Sequence, residues 1–479
     1  MRYQSFHRVP AAIAGIAHDP EACPMTATAA TTSSTAQAPT ALARDLARAG
    51  RIAEAEAVIA GLVAEVADFT PARVTINRDG YSLNSVNGFI EAADGRSFFF
   101  KFHQEEDEAE TVGEYYRAEL LAGAGFPVDR PVVASGAVGR QILIYARRDQ
   151  PRLADLARAV EAEARGIGGP APVAAVRLIA AQADADRLVA DRYLATLHDI
   201  TADEAAAEPL HRLFHDRLID HGAPDRPGGR MARFYEGRVF HLGGRAEAPD
   251  LTLSWHQLKD LRWTVGGITY DRGLGALFDE ARARLLPSRF AGAGVVAHGD
   301  AHNANVWFET GADGMADRLV FFDPAFAGAH VPALLAEVKA TFHNIFAHPF
   351  WLYDAAVAEG LYSVRARLDA DGRGITIDHD HDPGPLRRAF LAAKGDLLWR
   401  PLLQALAARG QLDADWRRVV KLALFCCPTL VMNLRAGPDG GHHGPAASAL
   451  GLAIAVAMGA EPAGGATDPL STMLDAVTP

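Results

Sequence analysis

The run Val295-Val296-Ala297-His298-Gly299-Asp300-Ala301-His302-Asn303-Ala304-Asn305 constrains this chain more than any other stretch. An apolar, strand-like segment leads into His-x-Asp, and an Asn follows five residues after the Asp. A second apolar strand, Leu319-Val320-Phe321-Phe322, then delivers Asp323. Three fixed residues of this kind match a chain of this length by chance in about one case in twenty, before the flanking strands are required. The spacing therefore predicts two strands whose ends carry carboxylate and amide oxygens to one place.

Composition narrows the classes open to such a site. The 479 residues imply two or three domains or lobes. Hydrophobic content of 49% and charged content of 22% are those of an ordinary globular protein. A net charge of −12 argues against a nucleic-acid binder, which needs a basic surface. Cys23, Cys426 and Cys427 are too few for a disulfide scaffold and lack zinc-ligand spacing, which fits a reducing cytoplasm. The most apolar stretch, Leu450 to Ala460, is too short to span a membrane and predicts a buried helix. Ala11 to Ala17 makes a poor signal peptide because His18-Asp19-Pro20 follows it. The Ala/Thr/Ser tract from Met25 to about Thr40 is expected to be disordered, with Met25 a second candidate for the first residue.

Four regions follow along the chain: a low-complexity extension (1–40), a helical segment (41–70), a β-rich lobe (71–148) and a large helical lobe (149–479). Ile52, Ile59, Leu62, Val63 and Val66 make one apolar face, with Gly50 as a break. Strands are predicted at 73–78, 89–93, 97–103, 132–134 and 141–145, with Asp94-Gly95 as a hairpin turn. An acidic loop leads into a helix from about Thr111 to Ala124. Beyond Arg148 helical patterns dominate. They include Leu386 to Leu406, kinked or broken at Pro401, and Asp415 to Cys427, which Pro428 is expected to end or bend. Asp369 to Pro385 reads as a polar loop.

Within the strand 97–103, Phe98, Phe100 and Phe102 point one way while Phe99, Lys101 and His103 point the other. A lysine among phenylalanines needs a reason, because burying an unpaired ammonium is costly. A nucleotide phosphate together with a helix glutamate supplies one. Glu114 is the preferred partner, with Glu110 and Glu119 as rivals; the competing reading is an edge-strand lysine that reaches water. The loop Gly80 to Gly88 precedes it, and there Ser82, Ser85 and backbone N–H groups could cover phosphates. It lacks closely spaced glycines, so an ordinary hairpin competes closely.

Phosphoryl transfer needs a carboxylate to accept a hydroxyl proton, and an amide oxygen and second carboxylate to hold Mg²⁺ on nucleotide phosphates. Asp300 fits the first role, and Asn305 and Asp323 the second. His298 is expected to brace the loop, and His302 to face the same cleft. Asp378-His379-Asp380-His381-Asp382 has the composition of a metal site, yet a solvated loop is the stronger reading. Cys426-Cys427 reads as core. Phe346, Phe350, Trp351 and Tyr353 read as a helical core face before a cage for a cation.

Together these residues resemble the aminoglycoside phosphotransferase and choline kinase branch of the protein-kinase-like fold, over roughly Arg73 to Asn344. His298-Gly299-Asp300-x-His302-x-x-Asn305 is similar to that branch's catalytic loop, in which Gly follows the His. The resemblance implies an α+β fold of two lobes, with ATP and Mg²⁺ between them and a small-molecule hydroxyl acceptor on the helical lobe. It makes Lys101 the phosphate-contacting lysine, Glu114 its partner, Asp300 the base and Asn305 and Asp323 the Mg²⁺ ligands. Gln141 to Tyr145 would lead into the adenine hinge. The alternatives are a nucleotide-binding regulator without turnover and adenylyl transfer to a protein. Gly328-Ala329-His330 and Leu334-Leu335 stand where the family often has Gly-Asp-Pro and a further Asp, so the usual bracing of the loop is not expected here.

Overall fold

Alternating phenylalanines organise the smaller lobe. The computed structural model describes residues 37–77, 85–103, 117–312, 315–347 and 350–479. Strands β1 (Pro71–Ile76), β2 (Ser85–Ala92), β3 (Ser97–His103), β4 (Val133–Ser135) and β5 (Ile142–Ala146) form one sheet in the order β1-β2-β3-β5-β4. Every pairing is antiparallel. Phe98, Phe100 and Phe102 are buried against helices α1 (Pro39–Arg48) and α2 (Ile52–Val66), where Ala43, Leu46, Ile59, Leu62 and Val63 complete a separate core. Phe69 stacks on Phe98 with ring centroids 4.2 Å apart. Helix α1 begins at Pro39, inside the tract expected to be disordered. The rest of that tract lies outside the described residues.

Strand β3 is central: Lys101 pairs with Asn87 on β2 and Leu143 on β5. The edge-strand reading of Lys101 is therefore excluded. Ser85 lies in strand β2, opposite His103, and not in a loop. Ser82, Glu110 and Glu114 fall outside the described residues. The helix after β3 is described from Arg117 onward.

The larger lobe has its own core, built around the helices Ala175–Thr196, Trp416–Val431 and Pro445–Gly459. It is less helical than its sequence suggested. Hairpins Val239–Arg245/Ala248–Ser254 and Arg262–Val265/Ile268–Thr269 precede the strand leading to His298. Arg262–Val265 also joins Gly374–His379 and Val364–Leu368 in a second sheet. The stretch read as a polar loop thus contains a strand, because Ile375 and Ile377 are buried on one side while the turn residues around them dominate the composition.

Two proline readings also change. The departure from α-helix between 386 and 406 is a π-type turn at Gly395–Trp399, immediately before Pro401, and the chain stays helical through it. Pro428 is inside the helix Trp416–Val431 and does not end it. That helix is buried on nearly every side, so tertiary packing outweighs the local penalty. Among the described residues no helix is long and apolar enough to cross a membrane.

Candidate active site

Register brings the site together. The strand Gly292–Ala297 is held between Gly328–Pro332 and His198–Ile200, both antiparallel. It releases the chain at His298. Gly299 follows with φ +76°, and a Cβ there would stand 2.5 Å from the Phe326 carbonyl oxygen. Only glycine fits such a position comfortably. The chain re-enters a hairpin in which Val306 pairs with Phe321. The Phe322 N–H donates to the Asn305 carbonyl at 3.0 Å. Asn305 and Asp323 therefore leave the same end of one hairpin, side by side.

His298 ties this turn to the next strand. It is 2% exposed, its Nε2 stands 3.0 Å from the Phe322 carbonyl oxygen, and the Asp300 N–H points at its Nδ1 at 3.4 Å. A carbonyl only accepts and an N–H only donates, so the ring is neutral with its proton on Nε2. Burial also pushes the imidazole below its usual pKa, which keeps it so. His298 thus contacts both sides of the turn, through Phe322 and Asp300.

Asp323 is the only non-glycine among the described residues with positive φ, at 57°. Left-handed backbone at a residue other than glycine costs of order 1–3 kcal/mol and gathers at functional sites. The Lys101 ammonium lies 2.8 Å from Asp323 Oδ1, with the lysine side chain 14% exposed and the aspartate 44%. The same ammonium lies 5.9 Å from the centre of the Tyr145 ring. This ion pair spans the cleft between the lobes. Glu119, the rival partner for Lys101, pairs with Arg130 at 3.5 Å.

The Asn305 side-chain NH₂ donates to the Asp300 carbonyl at 3.1 Å, which leaves its amide oxygen to meet a cation. Two hard oxygen donors, one already carrying an ammonium, suit Mg²⁺, which takes one or two protein oxygens and completes its shell with phosphates and water. Elsewhere, no group of three or more His, Cys, Asp or Glu among the described residues is arranged to hold a metal ion. That includes 378–382.

Asp300 is mostly enclosed, and its Oδ1 is buried without a hydrogen-bond partner. Around it stand residues that sequence reasoning missed. Lys339 Nζ lies 3.7 Å from Asp300 Oδ1 and 2.9 Å from His343 Nε2. His343 Nδ1 meets the Tyr353 hydroxyl. His302 Nε2 is 3.8 Å from Asp300 Oδ1, and its ring lies 5.2 Å from that of His343. Burial pushes both imidazoles down, and the charge of Lys339 pushes in the same direction. Lys339 and His343, four residues apart and therefore on one face of a helix, were the available signal.

Other buried polar contacts brace the turn. Asn344, 2% exposed, accepts from the Asn303 N–H through Oδ1 at 2.7 Å. Its carbonyl accepts from Arg387, which is paired with Glu161 at 3.0 Å. Glu208 accepts from the His330 N–H at 2.6 Å and fills the space beside Gly328. Phe350 and Trp351 are core, as are Cys426 and Cys427.

The chain thus has an α+β architecture with two cores, and Lys101 of the smaller lobe reaches Asp323. No protein-family model matches it, and no curated protein does. Several solved structures are similar to it. An amicoumacin kinase in complex with AMP-PNP, Ca²⁺ and Ami is 13% identical over 79% of this chain and 85% of its own, with a TM-score of 0.35. A glucosamine kinase is 15% identical over 78% and 92%, also at 0.35. A spectinomycin phosphotransferase in complex with ADP and spectinomycin is 10% identical over 84% and 98%, at 0.33.

Proposed function

We propose that this protein is an ATP-dependent small-molecule O-phosphotransferase, moving the γ-phosphoryl group to a hydroxyl. The observation that carries the reading is the convergence of Asp300, Asn305 and Asp323 at one hairpin end, with the strand lysine Lys101 reaching across the cleft to Asp323. Lys101 would release part of its hold on Asp323 to the nucleotide phosphates. Asn305 and Asp323 would hold Mg²⁺, which when bound neutralises charge on the phosphate oxygens.

Asp300 would orient the acceptor hydroxyl and take its proton. Its Oδ1 is enclosed and accepts no hydrogen bond, so it can take one from a hydroxyl. His298 would hold the loop in register by tying Asp300 to Phe322. Lys339 would steady the carboxylate as its charge changes. ATP and a small acceptor would meet at these residues, and nothing in the net charge of −12 invites nucleic acid.

The test is Mg²⁺-dependent nucleotide binding by calorimetry. Asp323→Ala should weaken ADP binding in the presence of Mg²⁺ by about tenfold or more, as loss of a charge-assisted contact implies. An unaltered titration would remove Asp323 from the metal site.

A further inference from the structure

The acceptor side of Asp300 carries more positive charge than its own carboxylate can balance. Lys339 is 3% exposed, and its polar partners among the described residues are neutral His343 and the Asp300 carboxylate at 3.7 Å. Arg217 is half-buried and lies within electrostatic reach of both Asp300 and Arg230. Its one hydrogen bond is long, from Nη1 to the Leu430 carbonyl at 3.4 Å, and among the described residues no carboxylate pairs with it. Arg230 already serves that helix end, donating to Leu430 at 3.0 Å and Val431 at 3.1 Å. Capping the helix therefore explains Arg230 and leaves most of the five N–H groups of Arg217 unspent. Burial and Arg230 push the Arg217 guanidinium down to about 10.

Buried cations are ordinarily paired. Lys101 follows that rule through Asp323, on the side assigned above to the nucleotide. Lys339 has no carboxylate partner but Asp300 itself, at 3.7 Å, and Arg217, within electrostatic reach of the same carboxylate, has none among the described residues, so one carboxylate faces two cations. We infer that the acceptor carries an oxyanion, a carboxylate or a phosphate ester, close to its reacting hydroxyl, and that Arg217 and Lys339 hold it while Asp300 receives the hydroxyl. Arg217 suits the role because its planar fork matches either group with two parallel bonds. This inference rests on the reading of Asp300 as the base facing the acceptor. It makes a polycationic antibiotic a poor acceptor.

The experiment is a calorimetric titration with inorganic phosphate of the full chain, first free, then saturated with ADP and Mg²⁺, then with AMP-PNP and Mg²⁺. Phosphate should bind in all three states. Arg217→Gln should weaken it by about tenfold or more, with Arg217→Lys recovering part of the loss. ADP affinity should not change in either variant. Phosphate affinity that is the same in the wild type and Arg217→Gln would overturn the inference. Displacement of phosphate by AMP-PNP but not by ADP would also overturn it, assigning the cations to the γ-phosphoryl group. Should Arg217→Gln fail to fold, Lys339→Gln is read by the same criteria. Failure of the wild type to bind ADP would count against the kinase reading alone, because the nucleotide-free titration still tests the oxyanion site.

Discussion

At the scale of single residues, the account separates groups that do chemistry from groups that hold them. Asp300→Asn preserves shape and removes basicity, so turnover should fall by about 10²- to 10⁴-fold. Nucleotide affinity should stay close to that of the wild type, measured by calorimetry alongside the rate. Lys101→Met should do the reverse in kind: Asp323 loses its 2.8 Å partner, and ADP affinity should drop. Retained affinity would make that lysine structural. Asp300, Asn305, Asp323 and Lys101 were legible because each is a polar residue that strand chemistry does not explain. Arg217 was not. It belongs to a short turn of mixed residues, His215-Asp216-Arg217, and its meaning comes from a helix end more than two hundred residues away.

At the scale of elements, the catalytic turn is held by a hairpin register and by a buried amide. Asn344→Ala would leave the buried Asn303 N–H without an acceptor, at a cost of about 1–3 kcal/mol. Thermal denaturation should show that loss, and turnover should fall as well, because the same loop carries Asp300. Gly299→Ala should be worse, since the added Cβ meets a backbone oxygen at 2.5 Å in a left-handed conformation. The sheet of the small lobe was readable from alternation, because one face is buried and the other is not. The strand Gly374–His379 was not, because four residues of alternation sit between turns rich in Asp and Gly. The bracing by Asn344, Arg387, Glu161 and Glu208 was also invisible. A buried polar network depends on which elements meet, and no local pattern records that.

At the scale of the whole molecule, two cores lie on either side of the cleft, and the larger contains several buried histidines. Burial pushes His211, His298, His302, His343 and His379 down, and His443 down to about 4. Below pH 6.5 the unfolded chain takes up protons that these folded sites refuse, so stability falls as the pH falls. For His443 alone the window from 6.5 to about 4 is worth about 3 kcal/mol. Asp186, raised by burial to about 6, and Glu208, also raised by burial, work against this trend. The melting temperature should therefore decline from pH 7.5 to pH 5. A flat or rising profile would mean that these rings are not held neutral.

The most direct test of the central claim is mass spectrometry of a metabolite extract incubated with the protein, Mg²⁺ and ATP, with Asp300→Asn in parallel. The account predicts a phosphoryl-sized gain on a small hydroxyl compound bearing a carboxylate or phosphate, seen with the wild type and lost with the variant. An adenylyl-sized gain, or equal phosphorylation by Asp300→Asn, would contradict it.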